Sequence, residues 1–300
     1  MRVDPEAKLG IIEIVIIVVA GFLAGAVNSV AGGGTFFSFP AMLAVGVPPV
    51  IANASNAVAL WPGSLAGAWA FRRELRRFSA SLPALSAIAF VGGIGGGLLL
   101  LRTSNDRFSA LIPWLLLLAT LLFAFSGPLS SGMRALLGRA AERERERGQE
   151  RERERGRGQD RERGQEPEHA GGHSHAAPAR HFGLGGYLFQ GVVSIYGGFF
   201  GAGMGILMIA ALAIQGFEDL YEINALKNWL SAVIYSVAVA TFVLADAVSW
   251  PHTLVMLVAA TIGGYLGAAW ARRIPALWLR RFIIGFGALL TAWYFPDAFA

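Results

Sequence analysis

Asn53 and Asn56 stand three residues apart in the run IANASNAVAL, and Asn224 and Lys227 stand three apart in INALKNW. On a helix that spacing puts each pair on one face. Polar side chains inside apolar segments turn toward a bundle interior and mark pathways there. Just upstream of each pair is a glycine cluster. Gly32, Gly33 and Gly34 precede Thr35, while Gly203 and Gly205 flank Met204. Glycine permits turns that other residues resist and lets a ligand approach the backbone. A short helix starting at such a turn aims unpaired N–H groups and a positive dipole end at whatever lies beyond it. Amides, one ammonium and helix starts form a chemistry for holding a small anion with several oxygens. The candidate substrate-binding set is therefore Gly32, Gly33, Gly34, Thr35, Asn53, Asn56, Gly203, Met204, Gly205, Asn224 and Lys227.

Each of these residues has a plainer reading. The glycines could serve close helix packing, the reading that best fits GGIGGG (92–97) and GGYLGA (263–268). Apart from one in the N-terminal tail, Lys227 is the chain's only lysine. Buried, its ammonium needs a counter-charge: Glu222, the substrate, or a coupling proton. Otherwise it runs along the surface beside Glu218, Asp219 and Glu222.

The elements that must position these groups follow from composition. The 300 residues are 55% hydrophobic, with a mean hydropathy of +0.53. Long apolar blocks recur, such as FSALIPWLLLLATLLFAFSG (108–127), which carries no charge. About 20 such residues span the hydrocarbon of a bilayer. The sequence predicts an all-α polytopic membrane protein, multi-pass in a bacterial-type plasma (inner) membrane, with the first apolar block kept as a mature helix. There is no cysteine, so disulfides and thiol chemistry are excluded. The net charge of +5 resides mainly in loop arginines, which report membrane orientation and not a nucleic-acid partner.

Glu142 to His181 has ten Arg and ten Asp or Glu and, alanine aside, no apolar residue. Such a segment has nothing to bury against its ordering entropy. It reads as a solvated, disordered cytoplasmic linker over 131–181, between a first membrane repeat (1–130) and a second (182–300). His169, His173, His175 and His181 lie in it without the fixed geometry of a metal site; no metal or other cofactor is expected.

The two halves match at one offset of 171 residues (205 − 34, 224 − 53), which pairs Gly34 with Gly205, Asn53 with Asn224, Asn56 with Lys227 and Gly93 with Gly264. Each half offers five apolar segments, the second of about a dozen residues. If the short segments span, there are ten crossings and inverted repeats, with the arginine clusters at 72–77 and 272–281 on one side. If they re-enter, there are eight crossings and parallel repeats. The positive-inside bias favours the inverted arrangement. Duplicated membrane domains are characteristic of secondary transporters, in which two halves rock around a central site.

No HExxH, GxSxG or Walker motif and no acid pair within the membrane is present, so an enzyme is not expected and transport would be coupled to an ion gradient or facilitated. The stretches GAVNSVAGGGTFFSFPAMLAVGVPPVIANASNAVAL, GGFFGAGMGILMIAALAIQG and GGYLGAAWARRIPALWLRR resemble the TauE/SafE family of membrane transporters. The resemblance covers all but the linker and the tails. It implies a duplicated four-helix unit with eight or fewer spans, and export of sulfite or organosulfonates. Met204 within the second glycine cluster and FEDLYEIN in place of a glycine-proline turn depart from the family pattern. The resulting expectation is a secondary transporter, by preference an exporter, of small anions such as sulfite, organosulfonates or carboxylates, with protons as the coupling partner. The alternative is an accessory or assembly protein that docks partners through the charged linker.

Overall fold

A computed structural model describes residues 10–31, 33–78, 80–125, 183–214, 217, 220–270 and 276–296. The charged linker and its histidines therefore lie outside the described residues, as do Gly32, Glu218 and Asp219. The described chain is helical throughout. In order it forms α1 (Ile11–Ala31), α2 (Thr35–Ala44), α3 (Pro49–Ala70), α4 (Leu82–Arg102), α5 (Asn105–Phe125), α6 (Leu184–Phe199), α7 (Met204–Ile214), α8 (Leu220–Leu244), α9 (Trp250–Trp270) and α10 (Ala276–Tyr294). Proline sets several starts: it occupies the first turn of α3 and of α4, where its missing N–H costs nothing. An offset of 171 carries the starts of α1 to α5 to within three residues of the starts of α6 to α10.

Among the described residues, Ile11–Ser29, Leu82–Arg102, Asn105–Phe125 and Glu222–Leu244 are long and apolar enough to cross a membrane by length and composition. The outer surface of the bundle is apolar as well. Ile11, Ile12 and Val15 on α1, Val91 on α4, and Leu254 and Val258 on α9 are all exposed. A soluble protein seldom shows so continuous an apolar exterior; here it is the face that lipid covers. The protein is a polytopic helical membrane protein.

The halves interlock by exchange. α1 packs along α9 and α4 along α6, and α3 and α8 cross at the centre. Lipid is as apolar as leucine, so close backbone approach between small residues holds such joints. A Cβ at Gly25 would fall on the Ala260 carbonyl, one at Gly263 on that of Phe22, and one at Gly267 2.5 Å from Ala26 Cα. In the other joint, a Cβ at Gly92 would come 2.5 Å from Ser194 Cβ, and one at Gly96 would strike the Ile195 carbonyl. GGIGGG and GGYLGA are therefore packing motifs, each bedded in a helix of the opposite half.

The same contacts fix direction. Along α4, Gly92 meets Ser194 and Gly93 meets Gly198, so α6 runs parallel to α4. Trp229 Nε1 donates to Ser86 Oγ at 2.9 Å, Gly93 faces Ile234 and Gly97 faces Thr241, so α8 also runs parallel to α4. With α6 and α8 pointing the same way, α7 must carry the chain back between them. Trp61 Nε1 donates to Ser236 Oγ at 2.9 Å while Gly67 faces Asn228, so α3 and α8 are antiparallel. The third helices of the two halves thus run in opposite senses, the hallmark of inverted repeats. At 10 and 11 residues, α2 and α7 are about 15 Å long, roughly half the hydrocarbon thickness.

This arrangement predicts sidedness. Ser104 and Ala245 are exposed at turns at one end of the bundle and Ala80 at the other. Single cysteines at Ser104 and Ala245 should label from one face of the membrane, and Ala80→Cys from the opposite face. Labelling of Ala245→Cys together with Ala80→Cys would restore the parallel, eight-crossing arrangement.

Candidate functional site between two half-length helices

Both short helices begin within the length of the bundle, beside helices packed on the middles of α9 and α4. A Cβ at Gly34 would come 2.5 Å from the Ala24 carbonyl and 3.0 Å from Asn28 Cβ. Ala24 adjoins Gly25, whose contact is Ala260, halfway along α9. On the other side Met204 Sδ lies against Gly197, next to Gly198, which meets Gly93 at the middle of α4. The turn before α7 needs glycine: Gly201 and Gly203 hold φ of +77° and +74°, a region that L side chains avoid. The Tyr196 hydroxyl clasps this turn by donating to the Ala202 carbonyl at 2.5 Å.

The two starts flank one turn of α5. A Cβ at Gly33 would approach Phe123 Cζ to 2.7 Å, and one at Gly203 would lie 3.4 Å from Leu122 Cδ1 and 3.7 Å from Ala119 Cα. α10 braces this turn from outside. Arg280 donates to the carbonyls of Phe123 and Ala124 at 3.1 and 2.5 Å, so a cation serves the C-terminal end of α5, where the dipole favours it.

The amides and the ammonium attach to these starts one half at a time. Asn56 is buried and pairs with Ser38 Oγ, which also contacts the Gly34 carbonyl at 3.1 Å, so α3 is tied to the first turn of α2. In the equivalent place Lys227 lays its stem on α7: its Cδ lies 3.6 Å from where a Cβ would stand at Gly205. No hydrogen bond or ion pair of Lys227 is found among the described residues, while Glu222 engages a partner. Asn53 reaches across the halves and donates to the Phe199 carbonyl at 2.8 Å. That bond fixes the orientation of the amide and leaves Asn53 Oδ1 buried without a partner. A buried orphan acceptor costs about 1–3 kcal/mol, a cost that a bound donor or water would remove. Thr35 and Met204 are buried in the first turns of their helices. Asn224 is partly buried one turn before Lys227 and engages a partner of its own.

The structure thus brings the glycine starts together at α5 but separates Asn56 from Lys227. Their helices cross near Trp61 and Ser236, and the two residues lie on opposite sides of that crossing, roughly 20 Å apart along the axis at about 1.5 Å per residue. Each belongs to the short helix of its own half. Ser38, the Phe199 carbonyl and the Ala119–Phe123 turn were not singled out in the sequence. Ser38 was detectable as a second hydroxyl, beside Thr35, in an apolar segment; the turn of α5 has only Thr120 among apolar residues, a weak signal.

No cluster of metal-ligating side chains occurs among the described residues. The family model of the sulfite exporter TauE/SafE matches residues 17–294, nearly the entire chain. The chain belongs to the TauE/SafE family. A probable membrane transporter protein of Haemophilus influenzae is 24% identical over 285 residues, 95% of each chain. The TauE/SafE chain is also similar to the probable membrane transporter YfcA of Escherichia coli K12, 26% identical over 273 residues, 90% of this chain and 85% of that one. A probable membrane transporter from a Sinorhizobium species, ORF9, is 33% identical over 106 residues, 35% of this chain and 40% of that one. No solved structure matches the chain. Family and fold together make this TauE/SafE protein a membrane transporter, multi-pass and helical.

Proposed function

We propose that the protein is a secondary transporter of small oxyanions (sulfite, organosulfonates or carboxylates), working by preference as an exporter in the bacterial plasma membrane and coupled to protons. The supporting observation is the pair of half-length helices whose glycine starts both approach the Ala119–Phe123 turn of α5. In transporters built from inverted repeats, such half-helix starts hold anionic groups at the repeat interface. Gly33, Gly34 and Thr35 supply one start; Gly203, Met204 and Gly205 supply the other. Asn53 and Asn56 serve the α2 start from α3, and Asn224 and Lys227 serve the α7 start from α8, so the amides and the ammonium act at successive points of the anion's path. In this reading residues 1–130 and 182–300 are the rocking halves and 131–181 joins them on the cytoplasmic side.

Purified protein in proteoliposomes should move sulfite, methanesulfonate or acetate, and an imposed proton gradient should change the rate. Flux of none of these above that of protein-free vesicles would end the reading. Gly203→Val should abolish that flux in a protein that still inserts, because valine cannot hold φ of +74°. Normal flux in this variant would assign the turn to packing alone.

A further inference from the structure

Where α1, α3 and α9 meet at one end of the bundle, a second polar cluster lies apart from the proposed anion site. His252 Nδ1 lies 2.7 Å from Ser249 Oγ, and Ser249 N donates to Ser55 Oγ at 2.9 Å. Ser55 and Thr253 are fully buried, Ser249 and His252 nearly so. Ser55 sits on α3 between Asn53 and Asn56, so the chain of contacts leads from His252 to the helix that carries the amides.

The charged surroundings are sparse. Gly21 meets Met256 and Gly25 meets Ala260, so α1 runs parallel to α9 and Glu13, two turns before Gly21, stands near the level of Ser249, its carboxylate accepting from Gly10 N at 2.9 Å. The contacts from α3 come from the neutral Ser55, and Asp246 on the α8–α9 turn is exposed. An imidazole is the side chain that changes charge near neutral pH; burial disfavours its charged form and a nearby carboxylate opposes that effect.

Helix capping alone does not account for the cluster. Inverted repeats make the two ends of the bundle equivalent in backbone, so a structural requirement of this joint should recur at the other end. The positions 171 residues away from Glu13, Ser55, Ser249 and His252 are Leu184, Leu226, Phe78 and Ser81. None of these is ionisable. The histidine–carboxylate pair has no counterpart at those four positions.

We propose that His252, with Ser249, Ser55 and Glu13, is a proton-binding site that opens to only one face of the membrane. In the neutral Nε2–H tautomer the Ser249 hydroxyl donates to Nδ1. When Nδ1 takes a proton the direction reverses: Nδ1–H donates to Ser249 Oγ, and the hydroxyl proton must turn to another acceptor. Ser249 is bonded through its backbone to α3, so the reversal acts on the joint between the halves. This site is distinct from Lys227 and does not depend on which anion is carried.

The test is ¹⁵N-histidine NMR of the full chain in lipid nanodiscs across roughly pH 5 to 8. The chain has five histidines, and His252→Gln identifies the resonance of interest. That resonance should titrate within the range, and its midpoint should move by about half a pH unit or more in Glu13→Gln. Ser249→Ala should change its ring tautomer, while the other four resonances stay put in both variants. A His252 resonance that does not titrate, or whose midpoint ignores both substitutions, would overturn the proposal. Neither outcome bears on whether sulfite is transported, so this site and the proposed function fail separately.

Discussion

Replacing Lys227 with methionine should weaken binding of sulfite or methanesulfonate by roughly ten- to 150-fold. A hydrogen bond to a charged group contributes about 1.5–3 kcal/mol, and each 1.4 kcal/mol is a factor of ten. Methionine retains the stem that packs against Gly205 and removes only the ammonium, so folding should change little. Lys227→Gln, which keeps a hydrogen-bond donor but no charge, should show a loss between those of Lys227→Arg and Lys227→Met. Lys227→Arg is the sharper companion. Guanidinium keeps the positive charge but does not release a proton. That variant should bind the anion yet lose the response of flux to a proton gradient. Asn56→Ala, which removes a neutral partner of Ser38, should lower affinity less than Lys227→Met does. Wild-type affinity in Lys227→Met, measured by equilibrium binding to purified protein, would show that the ammonium plays no part in holding substrate.

The second large effect concerns the joints between halves. Gly96→Leu should prevent the protein from assembling as a monodisperse species, whereas Gly95→Leu in the same GGIGGG motif should be tolerated. A Cβ at Gly96 would strike the Ile195 carbonyl and lie 2.7 Å from the Phe199 nitrogen; at Gly95 nothing lies within 4 Å. Overpacking a core typically costs about 1–3 kcal/mol, and more where the obstacle is backbone that cannot rotate away. Gly25→Leu should behave like Gly96→Leu, because α1 and α9 form the matching joint. Size-exclusion profiles and thermal melts in detergent would separate the cases. Equal behaviour of the Gly95 and Gly96 variants would contradict the proposed joints.

Much of this architecture was legible in the sequence. The five apolar segments per half, the shortness of the second, and the 171-residue repeat all follow from hydropathy and glycine placement. The arginine bias indicated the inverted sense, and the direction of α6 and α8 along α4 agrees with it. The resemblance implies a duplicated four-helix unit, to which each half adds its short second helix. Partner choice was not legible. Small-residue motifs announce a close approach without naming what approaches, so nothing in GGYLGA points to α1. The repeat also misleads about proximity. Asn56 and Lys227 correspond by offset, but inversion sends corresponding residues to opposite depths, and each attaches to its own short helix. Ser249 reads as a loop residue after an apolar run, yet Ser55 draws it into the interior. Long-range contacts of that kind leave no local mark.

The central claim is that the starts of α2 and α7 line one anion site. The most direct measurement uses single cysteines at Thr35 and Gly205, which is clean because the native chain has none. Gly205 accommodates a side chain, since the nearest atom to its Cβ position is Lys227 Cδ at 3.6 Å. In proteoliposomes both cysteines should react with a small sulfonated thiol reagent, and methanesulfonate should slow both reactions with the same concentration dependence. If methanesulfonate protects neither cysteine, or protects the two with unrelated affinities, the two helix starts do not share a site.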